Sequence, residues 1–328
     1  MKAPAKTLIL PLVAVSILFT PTSADAQLLN PGRTAPTVPD TGFHAILLGT
    51  GIPIPNPDRA NASTLIVVNG KTFMVDTGPG SATRLAENGY QSVDYILYTH
   101  FHLDHYGDLD RILFGRGAGG NAKHPQPILG PKGTKDVVDK VVESVAIDET
   151  YRIAHHGEHW SDQAMHAAVQ EFEPGVIFDE DGLKITMFNV NHEPVVPAVG
   201  YRFDYEGKSI VVSGDTKKSD SLIAAAQDCD LLIHEAMNAT VLNRALPGLK
   251  RVQPRGGAML EDLMSHHTST LEVAEVAKAA NAKKVVLTHL VPTIAPEDGP
   301  EKMFVRGMSD IYSGPILVGR DNMIFTVD

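Results

Sequence analysis

Four side chains of the kinds that bind metals lie within six residues, directly after a predicted strand. Residues 99–105 read Thr-His-Phe-His-Leu-Asp-His, and they follow the short apolar run Tyr95 to Tyr98. A loop at the end of a strand can hold a metal rigidly while leaving it open to solvent. One tetrahedral zinc ion takes only four ligands. The motif therefore favours a metal site, and its four side chains are too many for one zinc ion if further ligands come from elsewhere.

Three more candidate ligands follow other predicted strands. His192 follows the run Met187 to Asn191, Asp215 follows Ile210 to Gly214, and His289 follows Val285 to Thr288. The complete set has five histidines and two carboxylates: His100, His102, Asp104, His105, His192, Asp215 and His289. Nitrogen and oxygen ligands in this number can bind two divalent metals and suit zinc.

The predicted strands form two groups, each with helices attached and with no linker between the groups. Residues 69–70, Asn-Gly, predict a tight hairpin, and the runs 316–318 and 323–327 predict another at the end of the chain. This order predicts a single α/β unit of two sheets with helices outside. Hydrophobic residues make up 43% of the chain and charged residues 20%, which excludes a disordered or fibrous protein.

The N-terminus has the pattern of a secretory signal peptide. Lys2 and Lys6 precede the apolar stretch Thr7 to Phe19, and a small-residue segment ends in Ala24-Asp25-Ala26. The apolar stretch has 13 residues, which is too short for a membrane span of about 20. We therefore predict a signal peptide at 1–26, a linker at 27–42, a folded domain at 43–328, no membrane anchor, and a periplasmic or secreted protein.

Charge and cysteine content narrow the function further. Lys plus Arg number 28 and Asp plus Glu number 39, for a net charge of −11. Proteins that neutralise nucleic-acid phosphates are usually basic, so this balance argues against nucleic acid as a partner. Cys229 is the one cysteine, so an intrachain disulfide is excluded. We expect its side chain to be a small, buried hydrophobic group.

The ordered motifs resemble the metallo-β-lactamase superfamily from about Phe43 to the C-terminus. The pattern H-x-H-x-D-H is followed by a later His, Asp and His, and residues 76–80, Asp-Thr-Gly-Pro-Gly, are similar to the first motif of that family. The resemblance implies a four-layer αββα sandwich and two Zn²⁺ ions per chain. It implies that His100, His102 and His192 hold one ion. Asp104, His105 and His289 would hold the second, and Asp215 would bridge the two. Di-iron members carry a Glu where this chain has His102, so zinc is favoured.

Shorter motifs resemble the ribonuclease Z branch. These are residues 48–51, 61–63, 234–236 (His-Glu-Ala) and 267–269 (His-Thr-Ser). The branch implies that His267 acts on the substrate, as a general acid or by binding an oxygen. It also implies that Asp104 directs the proton of the nucleophile and that His234, with Glu235, orients the site. The catalytic candidates are accordingly Asp104, His267 and His234.

Features of this chain that differ from ribonuclease Z proteins argue against tRNA as the substrate. Ribonuclease Z proteins carry an inserted arm between the third motif and the bridging Asp, whereas only 22 residues separate His192 from Asp215 here. Together with the signal peptide and the negative charge, this favours an exported hydrolase of sulfate or phosphate esters, most like a zinc-dependent arylsulfatase. The expected partner is a small-molecule ester, without nucleic acid, and a homodimer is left open. Alternatives are a phosphodiesterase of ribonuclease Z type, a lactonase or β-lactamase-like hydrolase, and a binding protein that lacks catalysis.

A second histidine-rich segment does not lie at the end of a predicted strand, as the first one does. His155, His156 and His159 do not follow a predicted strand, and we expect them in a loop at the rim of the pocket. The sequence assigns them no role.

Overall fold

Two seven-stranded β-sheets face each other in the computed structural model, which describes residues 37–120 and 122–327. The first sheet contains β1 (Phe43–Gly49), β2 (Ser63–Val68), β3 (Lys71–Val75), β4 (Tyr95–Leu97), β5 (Gln126–Pro131), β6 (Ala167–Phe172) and β14 (Ile324–Thr326). The second contains β7 (Gly175–Glu180), β8 (Leu183–Asn189), β9 (Val199–Tyr205), β10 (Lys208–Val212), β11 (Leu231–Met237), β12 (Val285–Val291) and β13 (Ile316–Val318). The spatial orders are β14-β1-β2-β3-β4-β5-β6 and β13-β12-β11-β10-β9-β8-β7.

Helices cover the outer faces of both sheets. In the described part of the chain they are α1 (Ser81–Glu87), α2 (Leu103–Tyr106), α3 (Leu109–Ala118), α4 (Thr134–His156), α5 (Asp220–Ala225), α6 (Ala239–Val252), α7 (Pro254–His266), α8 (Thr270–Ala279) and α9 (Asp298–Phe304). Short 3-10 turns occur at Gly157–His159 and Met308–Asp310. Among the described residues, no helix is long and apolar enough to span a bilayer.

Alternation along the strands explains why the chain forms layers. In β1, Ala45 and Leu47 point into the core between the sheets, whereas Ile46 and Leu48 point outward into the core beneath the helices. Strands covered on both faces are apolar throughout, and all seven residues of β1 are buried. The described residues belong to one compact unit. This arrangement confirms the predicted single-domain αββα sandwich.

The carboxyl ends of several strands meet at one edge of the sandwich. β4 leads directly to His100, β8 leads to His192, β10 leads to Asp215, and β12 contains His289 near its end. β10 pairs in parallel with β11, and β11 pairs in parallel with β12, so their carboxyl ends lie side by side. The sandwich thereby brings together residues that are far apart in the chain.

Two local predictions were wrong. The last two strands do not form a hairpin, because β13 pairs with β12 in the second sheet and β14 pairs with β1 in the first. Each run completes the open edge of a different sheet, and the residues between them cross from one sheet to the other. His155 and His156 do not lie in a loop but end the 23-residue helix α4, and His159 lies in the 3-10 turn after it.

The N-terminal predictions fall largely outside the described residues. This applies to the signal peptide at 1–26 and to residues 27–36 of the predicted linker. Residues 37–42 contain neither helix nor strand, and β1 begins at Phe43.

Candidate metal centre

The histidine motif spans the end of a strand and the first turn of a helix. β4 ends at Leu97, and α2 begins at Leu103, immediately after His102. Asp104 and His105 lie in the first turn of α2 and are buried, whereas His102 is exposed. This change from extended to helical backbone lets a short segment turn all four side chains toward one point, with His102 on the open side.

Asp76 braces this segment from the end of β3. Its Oδ1 accepts a hydrogen bond from the Thr99 N–H at 2.8 Å, and its Oδ2 accepts from the Thr99 hydroxyl at 2.7 Å. Asp76 Oδ2 also lies 2.8 Å from His105 Nδ1. The residue has a left-handed φ of 61°, an uncommon conformation that the surrounding contacts hold in place. The first motif therefore fixes both the backbone of the histidine segment and the ring of His105.

Four imidazole nitrogens converge on one carboxylate oxygen. Asp215 Oδ2 lies 3.4 Å from Nε2 of both His105 and His289. It lies 3.9 Å from Nε2 of both His100 and His192. Two ligand atoms, each about 2.0–2.1 Å from one tetrahedral zinc ion, are about 3.3 Å apart. These spacings fit ligands around a cation, and Asp215 lies among the four histidines.

The remaining predicted ligands divide into two groups around Asp215. His100, His102 and His192 form one group with Asp215, and Asp104, His105 and His289 form the other. Within each group the candidate ligand atoms lie within 4.8 Å of one another. His102 presents Nδ1, which lies 3.1 Å from His100 Nε2, and His289 Nε2 lies 3.2 Å from Asp104 Oδ2. The structure therefore brings all seven predicted ligands together.

A β-bulge turns His289 toward the cluster. Glu235 of β11 pairs with Thr288, but the next residue, Ala236, pairs with Leu290, which leaves His289 as the extra residue. His289 has a left-handed φ of 44°. Bulges redirect a side chain locally, and they are common beside active sites.

Several rings are held from the side that faces away from the cluster. His100 Nδ1 lies 3.1 Å from the Thr99 hydroxyl, and His192 Nδ1 lies 3.0 Å from the carbonyl oxygen of His266. Such contacts fix ring orientation and leave the opposite nitrogen free to bind a metal. The role of the His266 carbonyl was not predicted, because a backbone acceptor has no signature in the sequence.

Burial and the charges of neighbouring groups set the protonation of the candidate ligands. It lowers the pKa of His100 well below its ordinary value and lowers the pKa of His192 to about 4. Both rings are then neutral at pH 7, which is the form that binds metals. Burial alone would raise the pKa of Asp215, but the facing His289 and His105 outweigh it and hold the pKa well below its usual range. Burial alone would lower the pKa of His105 and His289, but the facing carboxylates, Asp215 above all, outweigh it and raise the pKa of both rings. Metal ligands must be deprotonated, so a cation bound here would replace those protons.

His267 forms a third group of candidate ligands with Asp215 and His289, and its ring is oriented by Glu235. Its Nδ1 is 3.2 Å from Glu235 Oε1, which also accepts the backbone N–H of Thr268 at 2.9 Å and of Thr216 at 3.2 Å. The ring of His267 stacks on that of His289, with centroids 5.3 Å apart. Burial lowers the pKa of His267 to about 4. This geometry holds one nitrogen of His267 against Glu235 and places the ring next to the candidate ligands.

His234 lies elsewhere. Its Nδ1 is 2.6 Å from the backbone oxygen of Glu235, and its Nε2 is buried without a hydrogen-bond partner among the described residues. Successive side chains of a strand point to opposite faces, so only one of the neighbours His234 and Glu235 can face the site. The structure brings Glu235 there. Nor do the candidate ligand groups of the described chain include His155, His156 or His159.

Comparisons with known proteins identify the family of this chain. Residues 71–290 match the family described as the Beta-lactamase superfamily domain. Ribonuclease Z of Mycobacterium bovis (strain BCG / Pasteur 1173P2) is 36% identical over 279 residues, covering 84% of this chain and 95% of that relative. Ribonuclease Z of Mycolicibacterium gilvum (strain PYR-GCK) is 35% identical over 254 residues, covering 76% and 85%.

Solved structures show the same fold. The human short-form tRNase Z has a TM-score of 0.62 at 21% identity, with 87% of this chain and 99% of that chain covered. The metallo-beta-lactamase fold protein YhfI from Bacillus subtilis has a TM-score of 0.64 at 20% identity, with the same coverage.

These findings correct the predicted activity and partner. The arylsulfatase prediction was wrong, because relatives that match over most of the chain are named ribonuclease Z. The prediction of a small-molecule ester without nucleic acid was wrong for the same reason. The lack of an inserted arm carried no weight, since the alignment leaves little of the Mycobacterium bovis relative uncovered. The net charge was a poor guide to the partner. It is a sum over the whole chain, and it does not describe the charge near the site or the charge that bound metals add.

Proposed function

This chain belongs to the beta-lactamase superfamily, and from that membership we propose that it is a metal-dependent phosphodiesterase of the ribonuclease Z type that hydrolyses RNA. The observation that carries the proposal is the 36% identity with a ribonuclease Z over 279 residues. The site supports it independently, because the candidate ligands and the Glu235–His267 pair lie at one edge of the sandwich.

The donor set fits two zinc ions. We assign His100, His102 and His192 to one ion, Asp104, His105 and His289 to the other, and Asp215 to both. When bound, two such ions lower the pKa of a water molecule and neutralise charge on a phosphate. The protein contributes the fixed geometry, since Asp76 and the His266 carbonyl hold the rings of His105 and His192 from behind.

His267 is the proposed proton donor to the leaving oxygen. Glu235 accepts a hydrogen bond from Nδ1, which leaves Nε2 to hold the proton that the leaving oxygen takes. An anionic phosphodiester beside the ring favours the protonated imidazolium, and Glu235 Oε1 accepts the hydrogen bond of Nδ1 on the other side. Asp104, whose Oδ2 lies 3.2 Å from His289 Nε2, is proposed to take the proton of the attacking water.

The test is a direct comparison of substrates. The purified chain loaded with zinc is incubated with an end-labelled RNA stem-loop with a single-stranded 3′ tail, with bis-nitrophenyl phosphate, and with nitrophenyl sulfate. We expect cleavage of the RNA and of the phosphodiester, and loss of both activities after chelation. Intact RNA under conditions in which the chain hydrolyses another substrate would refute the proposal.

A further inference from the structure

The region between Glu235 and His267 carries an unusual charge. Residues 239–266 contain four bases, Arg244, Lys250, Arg251 and Arg255, against the two acids Glu261 and Asp262, and Lys250 pairs with Glu261 at 2.7 Å; the segment is therefore net positive although the chain as a whole has a net charge of −11. The segment folds into α6 and α7, which pack against each other as a helical hairpin. We refer to residues 239–266 as the basic hairpin.

The basic hairpin is attached to the metal centre at both ends. It begins just after β11, which carries Glu235, and it ends at His266, the neighbour of His267. The apolar side chains of Leu242, Leu260 and Leu263 pack with Met237 and Val291 at the ends of β11 and β12. These contacts anchor the hairpin at the ends of the two strands, and most of its residues, including Arg244 and Arg255, are exposed.

A cavity of about 290 Å³ lies where the hairpin meets α9. It is lined by Asn238, Thr240, Val241, Arg244, Met303 and Arg306. Asn238 joins its two walls, because its Oδ1 accepts from the Val241 N–H at 3.0 Å and its Nδ2 donates to the Phe304 carbonyl at 2.9 Å. The walls of the cavity are thus set by hydrogen bonds.

Two arginines at this cavity have no side-chain partner among the described residues. Neither Arg244 nor Arg306 forms a side-chain hydrogen bond or an ion pair with another described residue, and both are exposed. The nearby acids of α9 are occupied, since Asp298 and Glu301 pair with Arg320 at 3.2 and 2.7 Å. The two guanidinium groups therefore remain free to bind an anion, and arginine suits phosphate through its fork of donors.

The cavity lies close to the chemistry. Asn238 is three residues beyond Glu235 along the strand direction, which corresponds to roughly 10 Å at about 3.3 Å per residue. The Asn238 N–H donates to the carbonyl oxygen of Val291, two residues after His289. A phosphodiester chain with one group at the metal centre can therefore place a neighbouring phosphate here.

We propose that the basic hairpin, with the cavity between Arg244 and Arg306, binds backbone phosphates of the RNA next to the cleaved bond. This inference rests on the proposed function and adds the surface that holds the substrate. Phosphate contacts position a nucleic acid without reading its sequence, so binding here is independent of base identity.

The test compares Arg244→Gln/Arg306→Gln with Lys123→Gln/Lys184→Gln, which removes the same charge elsewhere. Lys123 precedes β5 and Lys184 begins β8, whereas the metal centre lies beyond the opposite ends of these strands. Binding of a fluorescent RNA stem-loop with a 3′ tail is measured at several salt concentrations in a His267→Ala background, in which cleavage is slow enough for binding to be measured before the RNA is consumed. Rates on bis-nitrophenyl phosphate are measured in the otherwise unaltered chain.

We expect the arginine variant to bind RNA more weakly, with the salt dependence of log K reduced by about 1 for each phosphate contact removed. Hydrolysis of bis-nitrophenyl phosphate should be unchanged, and the lysine variant should resemble the unaltered chain. Equal RNA affinity and salt dependence in the two variants would overturn the inference, and so would a loss of bis-nitrophenyl phosphate hydrolysis in the arginine variant as large as its loss of RNA affinity. If the unaltered chain neither binds nor cleaves RNA, the proposed function itself fails.

Discussion

Nδ1 of His267 lies 3.2 Å from Oε1 of Glu235, although 31 residues separate the two in the chain. The same oxygen accepts two backbone N–H groups, so the carboxylate is fixed before it orients the ring. One nitrogen of His267 is therefore committed to Glu235, and the other remains for the substrate.

This pairing predicts how His267 contributes to the rate. His267→Ala should retain two zinc ions and lose rate within the roughly 10²–10⁴-fold range of a lost general acid. The loss should be largest for poor leaving groups, which need the proton most, and smallest for nitrophenyl esters. Rates across a series of leaving groups, together with metal analysis, measure this. A uniform loss would indicate that His267 binds a non-bridging oxygen, and loss of zinc would make it a ligand.

Adjacent residues of β11 should respond differently to substitution. Glu235→Gln should lower kcat by about 10–100-fold, as expected for a residue that orients a functional side chain. His234→Leu should leave kcat nearly unchanged, because His234 is buried away from the ligand groups. Kinetics and thermal unfolding of both variants measure this. Equal losses of kcat in two well-folded variants would contradict the assigned faces of the strand.

Asp215 should be required for metal retention. Asp215→Ala leaves two neighbouring cations without the carboxylate between them, which increases their repulsion. We expect fewer than two bound zinc ions per chain by elemental analysis after dialysis, and loss of activity. The matched control is Asp179→Ala, which removes an exposed aspartate of β7 and should retain both zinc ions and activity. Two tightly bound ions and full activity in Asp215→Ala would show that the ligand assignment is wrong.

The thiol of Cys229 should be unreactive in the folded protein. Burial raises its pKa to about 12, whereas an unfolded cysteine has a pKa of about 8.5. The thiolate is the reactive form, so reagent at pH 9 should label the chain in guanidinium and leave the native chain unlabelled. Ionisation of the unfolded thiol alone should also lower stability as the pH rises above about 8.5, and Cys229→Ala should remove this contribution. Rapid native labelling at pH 9 would show that the site opens.

Export remains a prediction. Expression of the full chain in an exporting bacterial host should yield a mature protein that starts at Gln27, because the A-x-A pattern places cleavage after Ala26. Mass spectrometry of the intact protein measures the N-terminus. Recovery of the chain with Met1 or Lys2 at its start would contradict the prediction.

The sequence alone determined the fold class and the candidate ligands. The ligand residues follow apolar runs that end abruptly, and strand ends are recognisable from local pattern because burial on both faces demands continuous apolar residues. The motif at residues 100–105 can also be recognised locally, since its four candidate ligands lie within six consecutive residues. The substrate inferred from the sequence was wrong, because the net charge of a chain does not say where on the folded protein the charges lie.

Only the tertiary structure decided how these residues act. The bulge at His289 and the left-handed backbone of Asp76 depend on neighbouring strands, so no local pattern reveals them. The same holds for the choice of Glu235 over His234, because the face on which a strand packs is set by its partners. Arg244 and Arg306 are 62 positions apart in the chain and meet only because α6 and α9 pack over the same strand ends. Contacts between distant segments arise from packing of the whole chain, and the sequence specifies them only through that packing.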